Sequence, residues 1–155
     1  MTIMIDRDRL FRGMAENRAR EVVAHIGFLR NLRQLHEGGV TQTRLAQVNG
    51  VSQPAISQML QRARIEAPDV RPDTHGGTAY EIAARCAAGE IDPATMRAEL
   101  IGWQYDKPLP PSGYPDVDDV RPTPEGGFNH QVGRALSHGF LTGEDYDLIL
   151  DALAD

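Results

Sequence analysis

Thr41–Arg62, TQTRLAQVNGVSQPAISQMLQR, carries the punctuation of two short helices joined by a tight turn. Thr41 can N-cap the first helix, because its hydroxyl can accept from a backbone N–H that the first turn leaves unpaired. Leu45, Ala46 and Val48 supply that helix with apolar residues. Gly50 stands where the chain leaves it, a place that favours a residue able to take positive φ. Val51 is positioned to plug the gap between the helices, and Ser52 to N-cap the second. Pro54 then falls in the first turn, where its missing N–H costs nothing. Ile56 and Met59 or Leu60 face inward, which leaves Gln53, Ser57, Gln58, Gln61 and Arg62 outward.

Within that stretch, LAQVNGVSQPAISQML resembles the helix-turn-helix of phage-repressor and Cro-type bacterial regulators, whose usual form is L-A-x-x-φ-G-V-S-Q-x-x-I-S-x-φ, with φ apolar. Leu45, Ala46, Gly50, Val51, Ser52, Gln53, Ile56 and Ser57 match as they stand. The residue before the turn glycine departs from the pattern: it is Asn49, with Val48 one place early. The resemblance covers about 25 of the 155 residues, so it identifies a module. It implies binding to double-stranded DNA, with the second helix in the major groove.

A net charge of −6 is unusual for a DNA binder, but it is unevenly spread. Residues 1–66 hold 10 arginines against 6 acids, and residues 67–155 hold 6 basic residues against 16 acids. Phosphate attraction therefore belongs to the first segment, while a duplex would repel the second. Apolar content of 41% is compatible with a folded core, and aromatic content of 6% makes it a light one. No run approaches the roughly 20 apolar residues of a membrane span, and MTIMIDRDR is no secretory signal. The single cysteine, Cys86, excludes an internal disulfide and fits a reducing cytoplasm. Its flanks, AARCAAG, suggest a small buried residue on a helix.

Upstream, residues 6–37 read as helix. Val22, Ile26 and Leu29, with Val23, Leu32 and Leu35, form a stripe at helical spacing, and Arg18, Arg20, Arg30 and Arg33 fall between. Gly38-Gly39 ends it, and the pattern allows a break at Gly13 that would make residues 1–12 a separate arm or short helix. Two roles fit: a core support for the helix-turn-helix, or that role plus a dimer contact from the Leu10, Phe11, Met14 end.

Downstream lies an internal repeat at an offset of 50 residues. Asp69-Val70-Arg71-Pro72 and Gly76-Gly77 recur as Asp119-Val120-Arg121-Pro122 and Gly126-Gly127. Ile82 matches Val132, Cys86 matches Leu136, Gly89 matches Gly139, Ile91 matches Leu141, Leu100 matches Leu150, and the N-cap Asp92 matches Thr142. Each copy reads as an extended segment, a Gly-Gly turn and two helices: 78–88 and 93–104 in the first, 128–138 and 143–154 in the second. Asp106–Asp118, with four prolines, reads as a linker. A unit of about 35 residues cannot bury a stable core alone, so the copies should pack on each other or on partner chains. Tyr146, Leu148, Ile149, Leu150 and Leu153 give the final helix an apolar character.

These readings give an all-α fold: a DNA-binding domain at residues 1–66, αα-hairpin units at 67–105 and 119–155, and a linker at 106–118. No catalytic or cofactor constellation accompanies it. His25 and His36 lack a carboxylate or cysteine at metal spacing, and His130 and His138 are eight apart, which is similarly weak. Asp116, Asp118 and Asp119 fail as a calcium loop, because Val120 and Gly127 occupy the positions that need oxygen ligands. The paired glycines lack a phosphate loop's context. The chain reads as a non-enzyme without metal or cofactor. Gln53 and Gln58 suit adenine readout, with Ser52, Ser57 and Gln61 near base edges or phosphates. Gln42, Arg44 and Arg62 suit phosphate contacts. A homodimer on a pseudo-palindromic site is expected. The expected function is a transcriptional regulator whose acidic residues 67–155 oligomerise or bind a protein partner. The alternatives are an antitoxin that neutralises a toxin through the acidic repeats, and a phage or plasmid DNA-handling protein.

Overall fold

The computed structural model describes residues 5–107 and 124–155, and it is all-α. The second DVRP segment, most of the proline-rich linker and the Asp116–Asp119 cluster lie outside the described residues. Helix α1 spans Arg7–Glu37, α2 Gln42–Asn49, α3 Gln53–Glu66, α4 Ala79–Ala87 and α5 Pro93–Ile101. A π-helical turn, Asn129–Gly133, runs directly into the short α6, Arg134–Ser137, and α7 closes the chain at Gly143–Ala154.

Small polar residues cap these helices where the sequence places them. The side chains of Asp6, Thr41, Ser52, Thr78, Asp92 and Thr142 each accept from a backbone N–H three residues on. Gly50 ends α2 in the left-handed region at φ 65°, where a Cβ would be strained. Helix α1 runs without interruption through Gly13, contrary to the possible break there. One interior glycine weakens a helix without ending it when 30 other residues hold the hydrogen-bond ladder.

Two apolar clusters form. The smaller joins Leu32 of α1 to Leu45, Ala46, Ile56 and Leu60 of α2 and α3. The larger joins Ala19, Ile26 and Leu29 of α1 and Ala63 of α3 to both repeat copies, through Ile82, Met96, Leu100, Val132 and Ile149. Met59 packs against both clusters. Helix α1 therefore serves both cores, and the larger core draws on residues from both sides of position 66.

The repeat copies pack on each other, α5 against α7 and α4 against the π turn and α6. Their equivalent positions Ile82 and Val132 are both fully buried. The few aromatics concentrate at this junction. Tyr80 packs on Phe140 at 5.6 Å between ring centroids, Phe128 on Tyr105 at 5.2 Å, and Phe128 on Tyr146 at 5.7 Å. Such pairs contribute about 0.5–1.5 kcal/mol each beyond their buried area. In the final helix only Ile149 is fully buried, while Leu148, Leu150 and Leu153 remain exposed.

Candidate nucleic-acid interface

Helix α3 has a buried side and an exposed one. Ile56, Leu60 and Ala63 are buried against α1 and α2, as helical spacing requires. Gln58, Gln61 and Arg62 are exposed on the other side, Ser57 is half-buried between the two, and Gln53, seven residues before the buried Leu60, is exposed because it stands at the start of the helix. Ser52 is exposed, and its Oγ accepts from the Ala55 N–H at 3.2 Å, so this hydroxyl is engaged in starting the helix. On α2, Gln42 is half-buried and Arg44 is exposed. Helices α2 and α3 pack on each other, and the turn between them is closed by the Val51 N–H donating to the Ala46 carbonyl at 3.1 Å.

Two apolar expectations for this region fail. Val48 is 65% exposed, and Val51 is 37% exposed instead of filling the gap between the helices. Val48 falls about 110° around α2 from the side that Leu45 and Ala46 bury, and Asn49 takes the position on that side instead, its Nδ2 donating to the Leu45 carbonyl at 2.8 Å. A polar residue before the turn glycine leaves α2 anchored by Leu45 and Ala46 alone.

Charge is distributed differently from its distribution along the chain. Two of the ten arginines in residues 1–66 are interior. Arg30 donates to both carboxylate oxygens of Glu81, at 2.5 and 3.1 Å, and through Nε to the Pro68 carbonyl at 3.0 Å. Arg33 pairs with Glu37 and Asp69 and donates through Nε to the Ala67 carbonyl at 3.0 Å. The pairs with Glu81 and Asp69 tie α1 to the acidic half, so these arginines offer little to a polyanion. Spacing places them between the apolar residues with Arg18 and Arg20, and nothing local distinguishes a buried arginine from an exposed one.

Arg62 is bound at 2.5 Å to Glu66, one turn later. Glu66 also lies 3.8 Å from Arg134, whose guanidinium stacks 3.8 Å over the Tyr80 ring. The Arg134 Nε is buried with no hydrogen-bond partner among the described residues. Beside this chain of contacts, a cavity of about 330 Å³ separates α1 and the end of α3 from the repeat copies. Arg44 and Arg64 are exposed and join no ion pair among the described residues. The first DVRP segment has a structural use that its recurrence did not disclose. Asp69 accepts from Arg33 and Gln34, and Arg71 stacks 3.8 Å over the Trp103 ring.

Cys86 is half-buried on α4, and burial with nearby Asp145 and Asp92 pushes its thiol up, which favours the protonated form. No group of three or more His, Cys, Asp or Glu among the described residues could hold a metal ion, and no described helix is long and apolar enough to cross a membrane. Comparison with family models, curated proteins and solved structures yields no match for this chain.

Proposed function

We propose that the chain is a sequence-specific DNA-binding regulator that places α3 in the major groove. The observation that carries this reading is the α2–α3 pair itself. A left-handed glycine turn sets two short capped helices against each other, and the second presents Gln53, Ser57, Gln58, Gln61 and Arg62 away from the core. Gln53 and Gln58 read bases, each correct contact contributing about 1–3 kcal/mol of discrimination. Arg44 and Arg62, with Gln42 and Ser52 at the helix starts, hold phosphates and fix register. A homodimer on two half-sites about one turn apart gives the affinity that a single module lacks.

Residues 67–155 serve as the acidic partner-binding and oligomerisation module. Exposed Leu148, Leu150 and Leu153 on α7 also favour the antitoxin reading, in which this half captures a toxin. Binding assays with Gln53→Ala and Arg62→Ala test the proposal. The first variant is expected to relax sequence preference. The second is expected to weaken binding to all sequences and to flatten the salt dependence by up to about one unit. Unchanged binding in both would remove α3 from the interface.

A further inference from the structure

Arg134 is a cation that the fold leaves poorly answered. Its Nε is buried without a hydrogen-bond partner among the described residues. Nη1 lies a long 3.5 Å from His130 Nε2, and Nη2 lies 3.8 Å from Glu66, beyond hydrogen-bond reach. Glu66 is already taken by Arg62 at 2.5 Å. Such a guanidinium costs stability, and a methionine would cover the Tyr80 ring without that cost. Yet the surroundings hold it in place. It sits 3.8 Å over the Tyr80 ring, whose hydroxyl shares a 2.7 Å hydrogen bond with His138 Nδ1. The Gln131 side chain accepts from the Tyr80 N–H at 3.0 Å and donates to the Glu125 carbonyl at 2.6 Å. His130 and Gln131 belong to the π turn that runs into α6, and turns of this kind are rare and gather at functional sites.

The cavity of about 330 Å³ is lined by this cation and is otherwise largely apolar, with Val22 and Ile26 of α1, Ile65 of α3 and Tyr80 of α4 on its walls. That volume stands at the lower end of the range for small-molecule sites. Two acids also line it. Glu66 is neutralised by Arg62, and Glu21 is exposed, where solvent screens its charge. We infer that the cavity binds a small carboxylate with a compact apolar body. Since Nε is closed to solvent, the edge of Arg134 left to such a ligand is Nη1 and Nη2, which match the two carboxylate oxygens. The apolar body then lies against Val22, Ile26 and Ile65. One negative charge is all that the site balances, because a phosphate dianion on this guanidinium would face Glu66, 3.8 Å from it.

The test uses the full chain without DNA, so its outcome is independent of the DNA-binding reading. Titration calorimetry with cinnamate should give one site per chain with submillimolar affinity. The uncharged cinnamamide should bind at least about tenfold more weakly, and cinnamyl phosphate no more tightly than cinnamate. Arg134→Met should bring cinnamate down to the level of the amide while far-UV circular dichroism stays unchanged. The unaltered chain gives a second readout that does not depend on how that variant folds. In proton–nitrogen correlation spectra the Arg134 Nε–H resonance should shift with cinnamate and stay in place with cinnamamide. No binding at millimolar cinnamate overturns the inference. So does an amide that binds as tightly as the acid, a phosphate that binds more tightly, a folded Arg134→Met that keeps full affinity, or an Arg134 resonance indifferent to cinnamate.

Discussion

Arg30 and Glu81, 51 positions apart in the sequence, meet in a two-pronged pair at the centre of the molecule. Glu81 is fully buried and also accepts from the Gly77 N–H at 2.8 Å and from Arg85 at 2.8 and 3.1 Å. Burial by itself would push this carboxyl up, but its hydrogen bonds from Arg30, Gly77 and Arg85 outweigh that and hold it below the usual carboxylate range. The donors to this one carboxylate come from three places: α1, the turn before α4, and α4 itself.

Glu81→Gln should destabilise the protein by about 3–5 kcal/mol, because it leaves the buried Arg30 charge without its counter-ion. Urea denaturation of the two proteins measures this directly. A loss below about 1 kcal/mol would mean that solvent reaches the pair. By contrast, Arg97→Gln, which breaks the part-exposed 2.7 Å pair with Asp145 between α5 and α7, should cost no more than about 1 kcal/mol.

The same pair fixes the response to acid. A carboxyl whose folded-state pKa lies below its unfolded value adds stability above the unfolded pKa and loses it as pH falls toward the folded one. Asp69, lowered by Arg33 and then Gln34, and Asp92, lowered by the Thr95 N–H, act in the same direction. His138 adds an earlier step, since burial and then Arg134 and Arg18 lower its pKa and favour the neutral ring. Stability should therefore decline mildly below about pH 6.5 and more steeply below about pH 4.5. Urea midpoints collected across that range check it, and a midpoint rising toward acid would contradict the sign.

Gly77 and Gly27 should respond oppositely to alanine. A Cβ on Gly77 would collide with the backbone carbonyl oxygen of Pro68, the same oxygen that accepts from Arg30. At Gly27, in the middle of α1, it would meet nothing within 4 Å. Gly77→Ala should cost about 1–3 kcal/mol through overpacking, while Gly27→Ala should add about 0.5–1 kcal/mol by helix propensity. Thermal melts of both variants decide the matter.

If α3 meets DNA, Glu66 restrains it. Glu66→Gln frees the Arg62 guanidinium and removes a negative charge from the end of the helix. Affinity for every DNA sequence should rise several-fold, and the salt dependence should steepen by up to about one unit. Fluorescence anisotropy at several salt concentrations measures both. A weaker complex would mean that the Arg62–Glu66 pair itself shapes the bound surface.

The all-α class and most helix limits were legible because they rest on local chemistry. Thr41, Ser52, Asp92 and Thr142 cap helices wherever they stand before an apolar period, and Gly50 allows only a few conformations. The outward side of α3 followed from helical spacing for the same reason. What escaped was set by distant neighbours. Whether Arg30 and Arg33 are solvated depends on Glu81 and Asp69, more than thirty residues away in the sequence. The Arg62–Glu66–Arg134 series could be read halfway, since Arg62 and Glu66 stand one helical turn apart, but Arg134 arrives only through the packing of the second repeat copy.

One helix shared by two cores limits how this chain can be taken apart. Ending it at residue 66 would uncover Ile26 and Leu29 and strand Arg30 without Glu81. The α2–α3 pair is thus no cassette to be lifted out and joined to another regulator. Exchanging residues 67–155 for an unrelated module would leave Arg30 facing no carboxylate and the larger core without Ile82, Met96 and Ile149, so the basic half depends on the acidic half to stay folded.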